Sequence, residues 1–275
     1  QRSVPELQAV RSTMQEPVQV TSLSPRPKSM QTPVPNDQSV FSQISRPLTS
    51  PSPQLVDAAV AQHAGSDIDV VIGIGGGSVL DAAKAIAGLL RVGDSVMEYL
   101  EGVGSGKAYN GPAVPFIAVP TTAGTGSEAT KNAVLSVAGK QGFKKSFRDD
   151  RLVPEYALLD PDLLATCPAE LIAANGMDAL THAVEGYTSH WANDFSDGLC
   201  VKAAQLVFDY LPRAYQGGAD DPEAREKVHN AATIAGLAFV IFLLYIFLNA
   251  ATKGYYTVAL RCVAVVLVLA VFGVI

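Results

Sequence analysis

Asp178 and His182 stand four residues apart in NGMDALTHAVEGYTS (175–189), a stretch with helical apolar spacing. Positions i and i+4 share a helix face. A carboxylate oxygen and an imidazole nitrogen placed there can bind one divalent cation. The same spacing suits a hydrogen-bonded surface pair, so the residues alone leave both readings open. His190 sits at the expected end of that helix, His229 lies in a polar stretch and reads as solvated, and His63 lies on the amphipathic segment 55–64. Spacing yields no Ser-His-Asp or Cys-His arrangement, because such triads are assembled in space.

Two loops suit phosphate or ribose. The first, Gly73-Ile74-Gly75-Gly76-Gly77-Ser78, joins an expected strand to an expected helix. Glycines there let backbone N–H groups approach a phosphate without a Cβ in the way, and the helix N-terminus adds a favourable dipole. Ser78 suits a helix cap and a phosphate donor. The spacing is not GxGxxG, and a tight turn that holds nothing would look alike. The second loop is Pro120-Thr121-Thr122-Ala123-Gly124-Thr125-Gly126-Ser127-Glu128. Its hydroxyls follow a second buried strand, where a nucleotide or a Thr-rich helix cap would each fit. Two such loops after two parallel strands favour a nucleotide over either loop alone.

The elements that must carry these loops alternate. Residues 69–74, 115–119 and 156–160 are short apolar runs suited to buried parallel strands. Residues 79–90 are helical in period. After Pro161 the pattern is helical over 168–188, 197–215 and 222–238, with Pro212, Gly217-Gly218 and Pro222 as breaks. The fold class expected is an α/β nucleotide-binding part followed by an all-helical part, with an apolar helical C-terminal tail.

The flanks differ from this core. Residues 1–53 are rich in Pro, Ser, Gln and Thr, with no helical or strand period, and read as a disordered low-complexity segment. The sequence opens on Gln1, which reads as a fragment's start, and carries no signal-peptide pattern. Residues 235–251 carry no charge and 255–275 only Arg261. Each is near the length of about 20 residues that a membrane span needs, and a buried helical hairpin is the alternative. The expected domains are therefore 1–53, 54–161, 162–239 and a tail at 240–275. A net charge of −6 leaves no basic surplus for nucleic acid. The three cysteines, Cys167, Cys200 and Cys262, form no CxxC pair and suggest neither a disulfide framework nor a thiolate metal site.

GIGGGSVLDAAKAIA (73–87), PTTAGTGSE (120–128), LLDP (158–161) and NGMDALTHAVEGYTS (175–189) occur in that order. Together they resemble the iron-containing alcohol dehydrogenases over about residues 68–239. The resemblance implies a dehydroquinate synthase-like fold, incomplete here. It also implies NAD or NADP, a divalent metal (iron or zinc), a small alcohol or aldehyde substrate, and frequent homo-oligomers. By resemblance Gly76, Gly77 and Ser78 contact the pyrophosphate, with Asp81 on the following helix. Thr121, Thr122 and Thr125 line the nucleotide cleft, and Asp178 and His182 are the first two metal ligands.

The resemblance has gaps. Two further ligand histidines are expected in the family, yet no histidine follows His229. From Val240 onward the sequence reads as unlike the family, and the strands preceding the glycine loop are not recognisable. A truncated or chimeric chain with impaired activity is expected. Its core would be cytoplasmic, and the alternative role is that of a non-catalytic, membrane-associated remnant of a dehydrogenase, with membrane contact through 237–275.

Overall fold

A computed structural model describes the backbone of Val18–Thr21, Phe41–Ile44 and residues 51–250 except 191, and side chains between 51 and 238. The chain forms two units. The first holds the sheet and runs to Thr121 and again over Ser127–Asp160; the second takes Thr122–Gly126 and everything from Pro161.

In the first unit, α1 (Pro53–Gln62) starts at Ser52, whose side chain accepts from the Leu55 amide. Strand β3 (Val70–Gly75) leads into α2 (Gly77–Leu89), and β4 (Phe116–Pro120) follows. The β-branched run Val70-Val71-Ile72 favours a pleated, enclosed strand, and β3 pairs in parallel with β4, Gly75 opposite Pro120. Helix α2 is buried almost all round, including Leu80, Ala83 and Ile86 at 0% exposure. Close approach at Gly73, where a Cβ would lie 2.9 Å from that of Ala83, seats the helix on the sheet.

Two short strands lie within the segment read as disordered. β1 (Val18–Thr21) pairs antiparallel with both β2 (Phe41–Ile44) and β3. The sheet order is β2-β1-β3-β4-β7, where β7 is Tyr156–Ala157. A four-residue strand is too short to show a period, and its stability comes from the partner strand. The other residues before 51 lie outside those described. β7 matches the third expected strand in place but not in burial: among the described residues it pairs with β4 alone, and Tyr156 is 63% exposed. Sequence reading found no element between the threonine loop and β7. The structure has an antiparallel hairpin there, β5 (Asn132–Val137) and β6 (Phe143–Arg148). Ala133, Leu135 and Phe147 turn inward from it into the core that α2 fills.

The second unit packs three helices, α3 (Ala169–Thr188), α4 (Asp194–Gly217) and α5 (Pro222–Ala250). Asn193 and Ser196 form a reciprocal capping box at the start of α4. Small residues admit close helix packing: a Cβ on Gly176 would lie 2.3 Å from Leu211 Cδ1, and one on Gly186 2.7 Å from Cys200 Sγ. Pro212, read as a break, lies inside α4, flanked by the buried Leu211 and Ala214, whose packing outweighs one lost amide bond. The expected break near 239 is absent too, since α5 continues to Ala250. The uncharged stretch from 235 is thus the second half of a helix whose first half is polar. Among the described residues no helix is long and apolar enough to cross a membrane. The second expected apolar helix falls on residues outside those described.

Candidate functional site

The glycine loop is built by β3 and α2. Gly75 has φ +156°, and a Cβ there would lie 2.6 Å from the Val79 Cβ. Gly76 is the N-cap of α2 at φ −71°, ψ 177°, with no side-chain hydrogen bond closing the helix end. Ser78, expected as the cap, instead lies inside the first turn of α2 with its side chain exposed. The first amides of α2 are thus left to an outside acceptor, and an anion suits them. Beside them, the Thr121 amide donates to Gly75 O at 3.0 Å, so the two parallel strands end together. Gly76, Gly77, Ser78 and Thr121 are therefore gathered at one sheet edge. A turn in which Gly75 leaves no room for a Cβ, next to uncapped helix amides, fits a dinucleotide's phosphates.

Asp81, on the helix that follows, is engaged by Ser127 and Lys84. It accepts from Ser127 Oγ at 2.6 Å and lies 3.9 Å from the Lys84 ammonium. Burial pushes its carboxyl up, with Lys84 and the Ser127 hydrogen bond opposing. Its direct work is to hold Ser127. Lys84 was not singled out from sequence, because a lysine in a helix normally reads as a solvated surface residue. It is 0% exposed.

Thr122 and Thr125 belong to the second unit. There the loop lies against the helices: a Cβ on Gly124 would lie 2.7 Å from the Asn175 Cβ of α3. Thr122 is half-buried and Thr125 exposed. The Asn175 side-chain nitrogen is buried with no hydrogen-bond partner, on the same helix as the expected metal pair. In the sequence Asn175 is not distinctive, since an amide beside a glycine carries no chemical signature.

Asp178 and His182 do share a face of α3, with Oδ1 and Nε2 3.9 Å apart, and their side chains are 46% and 20% exposed. That separation is longer than a hydrogen bond, and both atoms could bind one cation. Glu185 lies one turn further along; burial pushes its carboxyl up, countered by His182 and reinforced by Asp178. His190 is exposed beyond the end of α3. His229, read as solvated, is 1% exposed on α5, because the polar stretch 226–230 is half of an amphipathic turn. Among the described residues no group of three or more His, Cys, Asp or Glu side chains can hold a metal. The pair fits one side of a metal centre and does not make a whole one.

The sequence model of the iron-containing alcohol dehydrogenases matches residues 32–161, and that of the C-terminal part of Fe-containing alcohol dehydrogenases matches 172–252. The chain belongs to the iron-containing alcohol dehydrogenase family. The family match begins at residue 32 and ends at 252, so 32–53 and 240–252 belong to it, correcting the expectation that they are unlike the family; residues 1–31 and 253–275 lie outside the match. The 1-propanol dehydrogenase PduQ of Citrobacter freundii is 43% identical over 207 residues, 75% of this chain and 50% of the relative. The NAD-dependent methanol dehydrogenase of Bacillus methanolicus is 39% identical, covering 69% of this chain and 50% of the relative. Among solved structures, sulfoacetaldehyde reductase from Bifidobacterium kashiwanohense in complex with NAD+ is 39% identical with a TM-score of 0.65, over 70% of this chain and 50% of the other. The chain thus spans about half the length of these dehydrogenases.

Proposed function

We propose that the chain is the dinucleotide-binding portion, with part of the metal-binding portion, of an NAD(P)-linked oxidoreductase acting on small alcohols or aldehydes. The observation that carries this is the joint ending of β3 and β4, with Gly75 and Thr121 hydrogen-bonded beside the uncapped start of α2. Such an edge of parallel strands is where α/β sheets take nucleotides. Support also comes from relatives whose names state dehydrogenation of propanol and methanol, and from a neighbour that holds NAD+. When bound, NAD(P)+ would supply the hydride acceptor for oxidation of an alcohol carbon to an aldehyde, with the hydroxyl proton released to solvent. The residues of this chain bind and orient: Gly76 and Gly77 through backbone amides, Ser78 through an exposed hydroxyl, and Thr121 at the neighbouring strand end.

Iron is the metal proposed for Asp178 and His182, following the family's description; zinc finds no support among the relatives. Two ligands from one helix face hold a metal weakly against water, so the chain alone is expected to turn over slowly. The membrane-associated alternative is carried by no described helix. The test is equilibrium binding of NADH to the full chain, followed by nucleotide fluorescence, with added ferrous iron and 1-propanol in a separate rate assay. Absence of NADH binding at millimolar concentration would defeat the reading.

A further inference from the structure

Lys84 is a wholly buried cation in the middle of α2. Its ammonium donates to Ser127 O at 2.8 Å, Asn132 O at 2.8 Å, Thr130 Oγ1 at 3.1 Å and Ser127 Oγ at 3.2 Å. The Ser127 hydroxyl in turn donates to Asp81, one turn before Lys84 on the same helix. An ammonium has three N–H bonds and no acceptor capacity, so every proton finds a protein oxygen. These oxygens come from one stretch, the return of the chain after the threonine loop.

We propose that Lys84 is a positioning residue of the dinucleotide site, fixing Ser127–Asn132 to the helix that opens on the glycine loop; this rests on the nucleotide reading above. α2 begins at Gly77, and Ser127 is where the chain rejoins the sheet unit after leaving it at Thr121. One ammonium therefore sets the spacing between the helix that meets the phosphates and the far end of the second loop. Stability alone does not account for it. A buried charge is costly to desolvate, and an apolar side chain of similar volume in its place is often neutral or stabilising. What the charge supplies is a single arrangement of the backbone oxygens around it.

The surroundings also make its charge state matter. Burial pulls the Lys84 amine down to about 8, opposed by Asp81 on its own helix and by Glu128 in the Ser127–Ala129 turn. Lys144, on β6, faces Asp81. Lys84 lies seven residues from the start of α2, about 10 Å of helical rise, so its charged form attracts a bound pyrophosphate. A neutral amine has one N–H fewer for the same oxygens.

The test measures NADH dissociation constants from pH 6.5 to 9.5 and amide hydrogen exchange of 127–132, on the full chain with Lys84, with Lys84→Met and with Ser127→Ala. In the wild type the constant rises several-fold through about pH 8. Lys84→Met binds about tenfold more weakly at pH 7, the scale of one charge-assisted hydrogen bond. It shows no inflection, and its 127–132 amides exchange faster while those of α4 do not change. Ser127→Ala shows a smaller loss and keeps the inflection. Wild-type affinity and protection in Lys84→Met would overturn the proposal, as would an inflection that survives the substitution. If Lys84→Met does not fold, Ser127→Ala and the wild-type profile decide, and no loss with no inflection overturns the proposal. If the wild type takes up no NADH, the nucleotide reading falls and the proposed role in a dinucleotide site falls with it; exchange then distinguishes only whether Lys84 anchors 127–132, faster exchange in Lys84→Met showing the anchor and unchanged exchange refuting it.

Discussion

Gly126 and Gly236 meet backbone to backbone. A Cβ on Gly126 would lie 2.6 Å from the Gly236 Cα, and one on Gly236 would lie 2.8 Å from the Gly126 Cα. Gly126 also has φ +61°, a conformation that L side chains rarely adopt. The end of the threonine loop thus rests directly on α5, with no room for a side chain on either part.

Gly236→Ala is therefore expected to lower the unfolding free energy by about 1–3 kcal/mol, the usual cost of overpacking. Neither backbone can yield as a flexible side chain would. Gly198→Ala is the contrast: that position lies in α4 with open space around it and no positive φ. There the substitution should raise stability by about 0.5–1 kcal/mol. Denaturant midpoints of the two variants should move in opposite directions.

Lys84 sets a pH dependence of stability whose sign follows from its lowered amine. The unfolded chain binds a proton at that amine up to its ordinary value of 10.5, while the folded chain releases it near 8. Between those values the unfolded state holds more protons, so stability rises with pH, by about 3 kcal/mol across the window for this group. Below about pH 8 the group contributes no slope. Chemical denaturation at pH 7.5, 9 and 10 should show the rise in wild type relative to Lys84→Met. Equal slopes in the two would contradict the assignment.

Gly75→Ala is expected to weaken NADH binding at least about tenfold, because the new methyl meets Val79 where the backbone must pass closest to a phosphate. Fluorescence titration reads this directly. An unchanged dissociation constant would place the nucleotide elsewhere.

Ferrous iron should bind the chain weakly, and either Asp178→Ala or His182→Ala should abolish uptake measured by equilibrium dialysis under anaerobic conditions. A pair on one helix face offers the ion no ligand from another direction. Iron retained by both variants would show that other residues hold it.

Arg225, 5% exposed on α5, donates to the carbonyls of Pro161, Gly218 and Ala219 and to the Asp162 carboxylate. Arg225→Met would leave those carbonyls without their donor. The expected cost is about 2–4 kcal/mol, read as a lowered denaturation midpoint.

The parts legible in the sequence were those with a strong local signature. Val70-Val71-Ile72 before a glycine run, and helical spacing through 175–188, each fix an element within a few residues. The hairpin β5–β6 was hidden because the run Lys144, Lys145 and Ser146 gives it a polar loop's composition. Its inward Leu135 and Phe147 are twelve residues apart in sequence. Strands β1 and β2 were hidden because backbone pairing, not side-chain pattern, makes them strands. At the site, the glycines and threonines announced themselves by type, and Asp178 with His182 by spacing. Lys84 gave no sign, since only the fold shows that its face of α2 is enclosed. Asp81 was noticed by position, but its partner Ser127 lies 46 residues away.

The five residues Thr122–Gly126 group with the helices, although the chain on either side of them groups with the sheet. This bears on how such a protein can be divided or inherited. A single cut at Pro161 would not release two self-sufficient pieces, because the amino-terminal piece would carry away a segment shaped to lie on Asn175 and Gly236. Recombination at that point would succeed only between parents that agree on both sides of those contacts. The two halves of this chain are constrained to vary together, and the glycines at 124, 126 and 236 mark where that constraint acts.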